Sequence, residues 1–116
     1  MHQHARERLG EFIDRVDYVK SDLSRSNWVA PFEQSQSFDA VVSSIAIHNV
    51  RLSERIRGIY QEVAQLLAPG GSFLNCDLVF DNVETHLGWL EADFEDVTLF
   101  EQEGRMTTFG GYKKPQ

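Results

Sequence analysis

At 116 residues the chain is one domain at most, and it falls short of the ordinary size of a complete doubly wound sheet. Hydrophobic content of 41% and charged content of 25% exclude wholesale disorder, and no apolar run approaches membrane-spanning length. A formal net charge of -7 leaves no basic surplus to displace the counterions of a phosphate backbone, which disfavours nucleic acid as a partner; the N-terminus shows no signal-peptide core, so the expected compartment is the cytoplasm.

In chain order, Ala5, Leu9, Phe12, Ile13 and Val16 form one apolar face of an otherwise charged helix, with Asp14-Arg15 at its exit. Val16 to Lys20 reads as a short strand. Ser21 to Ser37 is polar, contains Pro31, and carries Trp28 and Phe32 as packing anchors over the sheet edge, so a loop with one helical turn is expected. Phe38 to Ile47 is a second strand and its exit. His48 to Leu52 then bridges to Ser53, whose hydroxyl is placed to cap a helix.

From Glu54 to Leu67, the residues Ile56, Ile59, Tyr60, Val63, Leu66 and Leu67 recur at helical spacing. Pro69-Gly70-Gly71 stops that helix and feeds a third strand, Ser72 to Phe80. Thr85 to Ala92 is a short helix with Leu87, Trp89 and Leu90 apolar. Val97–Glu103 and Met106–Tyr112 form a hairpin around Gly104-Arg105. Strand, helix, strand implies a parallel α/β sheet, with Val41 beside Phe73 and the hairpin adding antiparallel strands.

Open α/β sheets bind ligands beyond the carboxyl ends of their strands, where Asp22, Ser43, Ser44 and His48 fall. His48 is the candidate general base, against the plainer reading of a surface loop histidine. Asp22 can equally cap its own loop, and Ser43-Ser44-Ile45-Ala46 can be a simple strand exit. The lone Cys76 cannot form an internal disulfide and reads as a small core residue. His2 and His4 sit at the terminus, and no cluster has metal-ligand spacing, so no metal is expected.

The Asp39-Ala40-Val41 strand with its small polar ending, and the Leu67-Ala68-Pro69-Gly70-Gly71 exit, resemble the second half of class I S-adenosylmethionine-dependent methyltransferases. Upstream, His4 to Leu9 followed by Val16-Asp17-Tyr18-Val19-Lys20-Ser21-Asp22-Leu23 resembles that family's second helix and third strand. Downstream, Glu84 to Pro115 resembles its closing helix and hairpin, ending in Phe109-Gly110-Gly111-Tyr112-Lys113-Lys114-Pro115. The resemblance spans almost the whole chain.

It implies a truncated Rossmann-like sheet, mostly parallel with a C-terminal antiparallel hairpin, in a single incomplete domain over residues 1–116. It implies S-adenosylmethionine as cofactor, held by Asp22, Leu23, Ser43, Ser44 and Ile45, a small-molecule acceptor, and His48 as catalytic residue. The family's first strand, its Gly-x-Gly loop and its acidic second-strand end have no counterpart here. Weak or absent cofactor binding by the isolated chain is therefore expected, as is a shortened cover after Phe80.

The family's sheet places two further strands between those at Val16 and Phe38. Val16–Lys20 is accordingly expected to close up beside Val41, with the remaining edge met by a homo-oligomer or a missing-half partner. The alternative function is a noncatalytic assembly module that keeps the sheet. A flavodoxin-like receiver explains the alternation but neither the Pro-Gly-Gly exit nor the hairpin.

Overall fold

The computed structural model describes residues 7–8, 10–17, 19–32, 37–80 and 82–115, with the backbone alone for residues 11–13. Apolar side chains recurring every three or four positions produce helix α1 (Ser53–Leu66), which buries Ile59, Tyr60, Val63 and Ala64 and leaves Arg57, Gln61 and Gln65 exposed. Ser53 is not the cap. Leu52 takes the extended conformation at that position, and its carbonyl accepts the first helical bond, from Ile56 N at 2.9 Å.

Strand β1 (Phe38–Ser44) precedes α1, and strand β2 (Leu67–Leu78) follows it directly. The Pro-Gly-Gly segment is not what ends the helix, because Leu67 is already extended at φ -86° and ψ 143°. Leu67 pairs with Phe38, and the next pair is Ser72 with Ala40, so five steps along β2 match two along β1. Ala68 to Gly71 is thus an excursion from the ladder, where Pro69 has no N–H to lose and Gly70 supplies φ +82°.

The sheet of the described residues has the order β1-β2-β4-β3, with β3 at Phe94–Glu103 and β4 at Met106–Lys113. β1 and β2 are parallel, Val41 lying opposite Phe73, and α1 is their crossover. β4 joins β2 antiparallel and closes the hairpin with β3. The backbones of β2 and β4 approach so closely that a Cβ on Gly110 would lie 1.9 Å from the Phe73 carbonyl oxygen. The expected Rossmann-like α/β sheet with a C-terminal antiparallel hairpin is the architecture observed, its parallel part among the described residues being the β1–β2 pair.

One expected strand is absent. Val16, Asp17, Val19 and Lys20 are not in the sheet, and the outer edge of β1 is unpaired among the described residues. Two of those four residues are charged and Val19 is 44% exposed, so the segment buries too little apolar surface to offset the ordering of a strand. The expected pairing with Val41 is therefore not formed. At the N-terminus Glu7 and Arg8 are α-helical and Gly10–Arg15 form a 3-10 helix, and the apolar face assigned to Ala5, Leu9, Phe12 and Ile13 lies outside the described side chains.

Helix α2 (Val83–Leu90) opens on Asn82, whose Oδ1 accepts from Glu84 N at 2.9 Å. α1 and α2 cover one face of the sheet, and between them Phe73, Phe94, Phe109, Ile59, Leu67 and Leu90 are fully buried. Each such side chain contributes about 1.5–3 kcal/mol through removal from water. A 3-10 helix over Ser26–Phe32 brings Trp28 onto α1, where its Nε1 donates to Glu62 Oε1 at 2.9 Å. Arg55 pairs with the same carboxylate and donates Nε to the Leu23 carbonyl at 3.1 Å. Trp28 thus anchors to the helix, while Phe32 meets Phe38 edge-on at 6.1 Å.

The register sends Leu74, Cys76 and Leu78 to the opposite face. Cys76 is half-buried there with Sγ 3.8 Å from Met106 Sδ, so it is not the enclosed core residue expected. No described helix is long and apolar enough to cross a membrane.

Candidate functional site

Two strand ends make the site. β1 stops at Ser44, and Ile45 follows with φ 52°, a conformation a β-branched residue rarely adopts. Its N–H is held by the Cys76 carbonyl at 2.9 Å, so the surrounding backbone enforces the turn. A 3-10 turn over Ile47–Val50 then carries His48 back over β2.

On β2 the inward face reads Phe73, Asn75, Asp77, Val79, so an apolar face turns polar toward the carboxyl end of the strand. Asp77 is only 3% exposed, and three donors converge on its carboxylate. Oδ2 accepts from His48 N at 2.9 Å, and Oδ1 accepts from Leu78 N at 2.9 Å. The His48 Nδ1 lies 2.5 Å from Oδ1. A carboxylate oxygen accepts from a ring N–H, so this contact suits the Nδ1–H tautomer and leaves Nε2 as the ring nitrogen not engaged by Asp77.

A cavity of about 530 Å³ opens beside this pair, lined among others by Ile56, Tyr60, Asn75, Phe80 and His86. Tyr60 Oη and His86 Nδ1 are 2.8 Å apart at its buried side. Phe80, 63% exposed, stands at the mouth with its ring 6.2 Å from that of His48. Arg105 fixes Phe80 in place, its guanidinium 5.0 Å over the ring and its Nη1 donating to the Phe80 carbonyl at 3.2 Å.

Of the residues singled out in the sequence, His48 lies on this cavity. Half-buried Ser43 and exposed Ser44 and Ile45 end β1 just upstream of it and do not line the cavity. Asp22 and Leu23 lie farther up the chain in the loop before Trp28. The Asp22 carboxylate accepts from Ser24 Oγ at 2.7 Å and Ser24 N at 3.0 Å, with Arg25 at 3.8 Å. These Ser24 bonds, aided by the Arg25 charge, hold its carboxyl below the usual carboxylate range. Leu23 packs against the core.

Sequence reasoning missed Asp77, Asn75, Tyr60 and His86. The signal for the first two was present, since Asn75 and Asp77 are polar residues two apart inside an otherwise apolar strand. Among the described residues no three His, Cys, Asp or Glu side chains converge on a metal-sized site.

Residues 1–75 match the methyltransferase domain family. A stretch of 74 residues is 32% identical to a highly reducing polyketide synthase of Cordyceps militaris, covering 64% of this chain and 3% of that protein. An O-methyltransferase family protein from Burkholderia thailandensis superposes with a TM-score of 0.70 at 17% identity, over 97% of this chain and 41% of that one. The N-methyltransferase NodS from Bradyrhizobium japonicum, solved with S-adenosyl-L-homocysteine, superposes with a TM-score of 0.63 at 16% identity, over 99% of this chain and 62% of that one. The chain thus spans a small fraction of the curated relative it matches and about two fifths to three fifths of these two solved structures. With that match over its first 75 residues, the chain belongs to the methyltransferase domain family, and its sheet is one that solved methyltransferases share.

Proposed function

We propose that the chain carries the base-bearing side of a methyltransferase site that takes a small-molecule acceptor in the cavity beside His48, in the cytoplasm. The observation that carries this reading is the His48–Asp77 pair, in which a buried carboxylate with every oxygen engaged orients an imidazole toward a cavity. S-adenosylmethionine, when bound, supplies a methyl group on a positively charged sulfur that departs as a neutral thioether. What remains for the protein is alignment and removal of one proton.

His48 Nε2 takes that proton from the hydroxyl, amine or acidic carbon that attacks the methyl group. The imidazolium so formed is stabilised by Asp77 through Nδ1–H, without transfer of the second proton. The tight bond to Asp77 also prevents the ring from turning away. At the β1 end, Ser43 and Ser44 offer hydroxyls and Ile45 offers exposed apolar surface for a flat ring; Asp22, in the separate loop before Trp28, offers an ionised carboxylate. Leu23 supports the same loop from beneath.

Titration of ¹⁵N-labelled chain with S-adenosylhomocysteine tests the cofactor half of this reading, with shifts expected at Asp22, Leu23 and Ser43–Ile45 at up to millimolar ligand. Methyl-labelled donor with a small-molecule acceptor library tests the rest. His48→Ala should lower transfer about 10²- to 10⁴-fold, the usual contribution of a positioned acid–base group. Binding of S-adenosylhomocysteine that leaves those residues unshifted, or transfer unaffected by His48→Ala, refutes it.

A second reading, an assembly module, is favoured by one observation. The outer edge of β1 is unpaired among the described residues, and Val42 on that strand is 72% exposed. It leads to a homo-oligomer, or to a partner that supplies the neighbouring strand.

A further inference from the structure

The face of the sheet turned away from α1 and α2 is apolar and open. It carries Val42, Leu74 and Tyr112 at 72%, 37% and 50% exposure, with half-buried Cys76, Leu78 and Met106 beside them. The register makes these one surface, because directly paired residues share a face: Val42 lies opposite Leu74, Leu74 opposite Gly110, and Leu78 opposite Met106. The next column is of another kind. Glu95, Glu101 and Glu103 of β3 pair with Tyr112, Thr108 and Met106, so they border the same face. All three are exposed, and none has an ion-pair partner among the described residues. The result is an apolar surface with an acidic rim on its β3 side.

We propose that this face docks an amphipathic helix of a partner polypeptide, its apolar stripe laid on β1, β2 and β4 and its Lys or Arg flank meeting Glu95, Glu101 and Glu103. This goes beyond both readings above, since it uses neither the cavity nor the β1 edge. Strand spacing sets the width. From β1 to β4 is two inter-strand steps, roughly 10 Å, which is the diameter of one helix, and a third step of about 5 Å brings the β3 carboxylates to its flank. Glu101 and Glu103 are two residues apart, roughly 7 Å along the strand, close to the rise of about 6 Å between basic residues four apart on a helix. Charge decides the occupant. The chain has a net charge of -7, and this face holds no Lys or Arg, so a second copy laid against it brings its own acidic rim and nothing to answer this one. A basic flank does answer it, and fixes the helix along the rim.

The probes are two synthetic helices, LKKLLKLLKKLLKL and its acidic counterpart LEELLELLEELLEL, titrated at low salt into the ¹⁵N-labelled full chain. The lysine peptide should shift Val42, Leu74, Cys76 and Tyr112 and leave α1 and α2 unmoved. It should bind about tenfold more tightly than the glutamate peptide, the scale of two rim ion pairs. In the Glu101→Lys/Glu103→Lys double variant that preference should vanish or invert. Leu74→Lys sets an unpaired charge at the centre of the face and should weaken the lysine peptide about tenfold. Tyr112→Ser, at a half-exposed position, is the companion variant should Leu74→Lys disturb the fold, and it should weaken binding in the same direction. Equal binding of the two peptides, a preference untouched by the double variant, shifts confined to the His48 cavity, or no binding of the lysine peptide at millimolar concentration would overturn the proposal. So would shifts on this face that follow protein concentration alone, which would assign it to a second copy. Neither S-adenosylhomocysteine nor an acceptor enters the measurement, so its failure is distinct from failure of the proposed transfer.

Discussion

Replacing Asp77 with alanine isolates the group on which the site depends. Its carboxylate accepts two backbone N–H groups, from His48 and Leu78, and the imidazole Nδ1–H. All three bonds are only partly buried, so water can reach some of the donors once the carboxylate is gone. The lower end of the usual range then applies, about 1 kcal/mol for each backbone donor left behind and about 1.5 kcal/mol for the charge-assisted bond. Relief of the buried carboxylate's desolvation offsets part of this. A net loss of about 2 kcal/mol follows, close to a thirtyfold fall in the folded-to-unfolded ratio. Asp77→Asn keeps one carbonyl oxygen and should lose about half as much. Urea unfolding at constant m measures both. An Asp77→Ala chain within about 0.5 kcal/mol of the parent, or more stable than it, would mean that the carboxylate does not anchor the His48 turn.

Gly110→Ala should destabilise by about 3 kcal/mol or more, because its Cβ would meet the backbone oxygen of Phe73 at 1.9 Å where no side chain can yield; retained thermal stability would show that β4 can shift. Asp22 should titrate, by carbon-detected NMR, below the ordinary carboxylate value, and Ser24→Ala should bring it back up. Because its folded value is depressed, its stabilising contribution is present above the unfolded carboxylate value and is lost as pH falls through the folded one; a midpoint unmoved by Ser24→Ala would refute the cause. Light scattering over a concentration series should show self-association that Val42→Lys suppresses, since a charge on an open edge strand opposes pairing; a monomer at every concentration would remove the assembly reading.

The helical spacing from Ile56 to Leu67 and the β-branched run at Val41 made the crossover legible, because each pattern is a local consequence of burying one face. The hairpin was legible for the same reason. Val16–Lys20 was not, since five residues with alternating character suit a strand only where a neighbouring strand exists to pair with them. Pro69-Gly70-Gly71 misled in a different way. These residues do break regular structure, but the helix had already ended at Leu66 and the break fell inside the strand, as a bulge fixed by the Ser72–Ala40 pair rather than by local preference.

The site was half legible, and the missing half follows from what a sequence can express. His48 stands out because it ends a strand beside small polar residues, a one-dimensional signal. Asp77 lies 29 positions away and becomes its partner only through the parallel register that sets Ser44 against Cys76. Had that register slipped by one residue, Asp77 would face away from the helices and Cys76 would occupy the cavity side, since alternate strand residues point to opposite faces. The polar pair Asn75 and Asp77 inside an apolar strand was therefore the observable trace of a buried site. Burying two polar residues under α1 and α2 is unfavourable unless each has a partner, and only one of them finds it within the described chain. The carboxylate's partner is the His48 imidazole, 2.5 Å away, while the Asn75 side-chain oxygen has none.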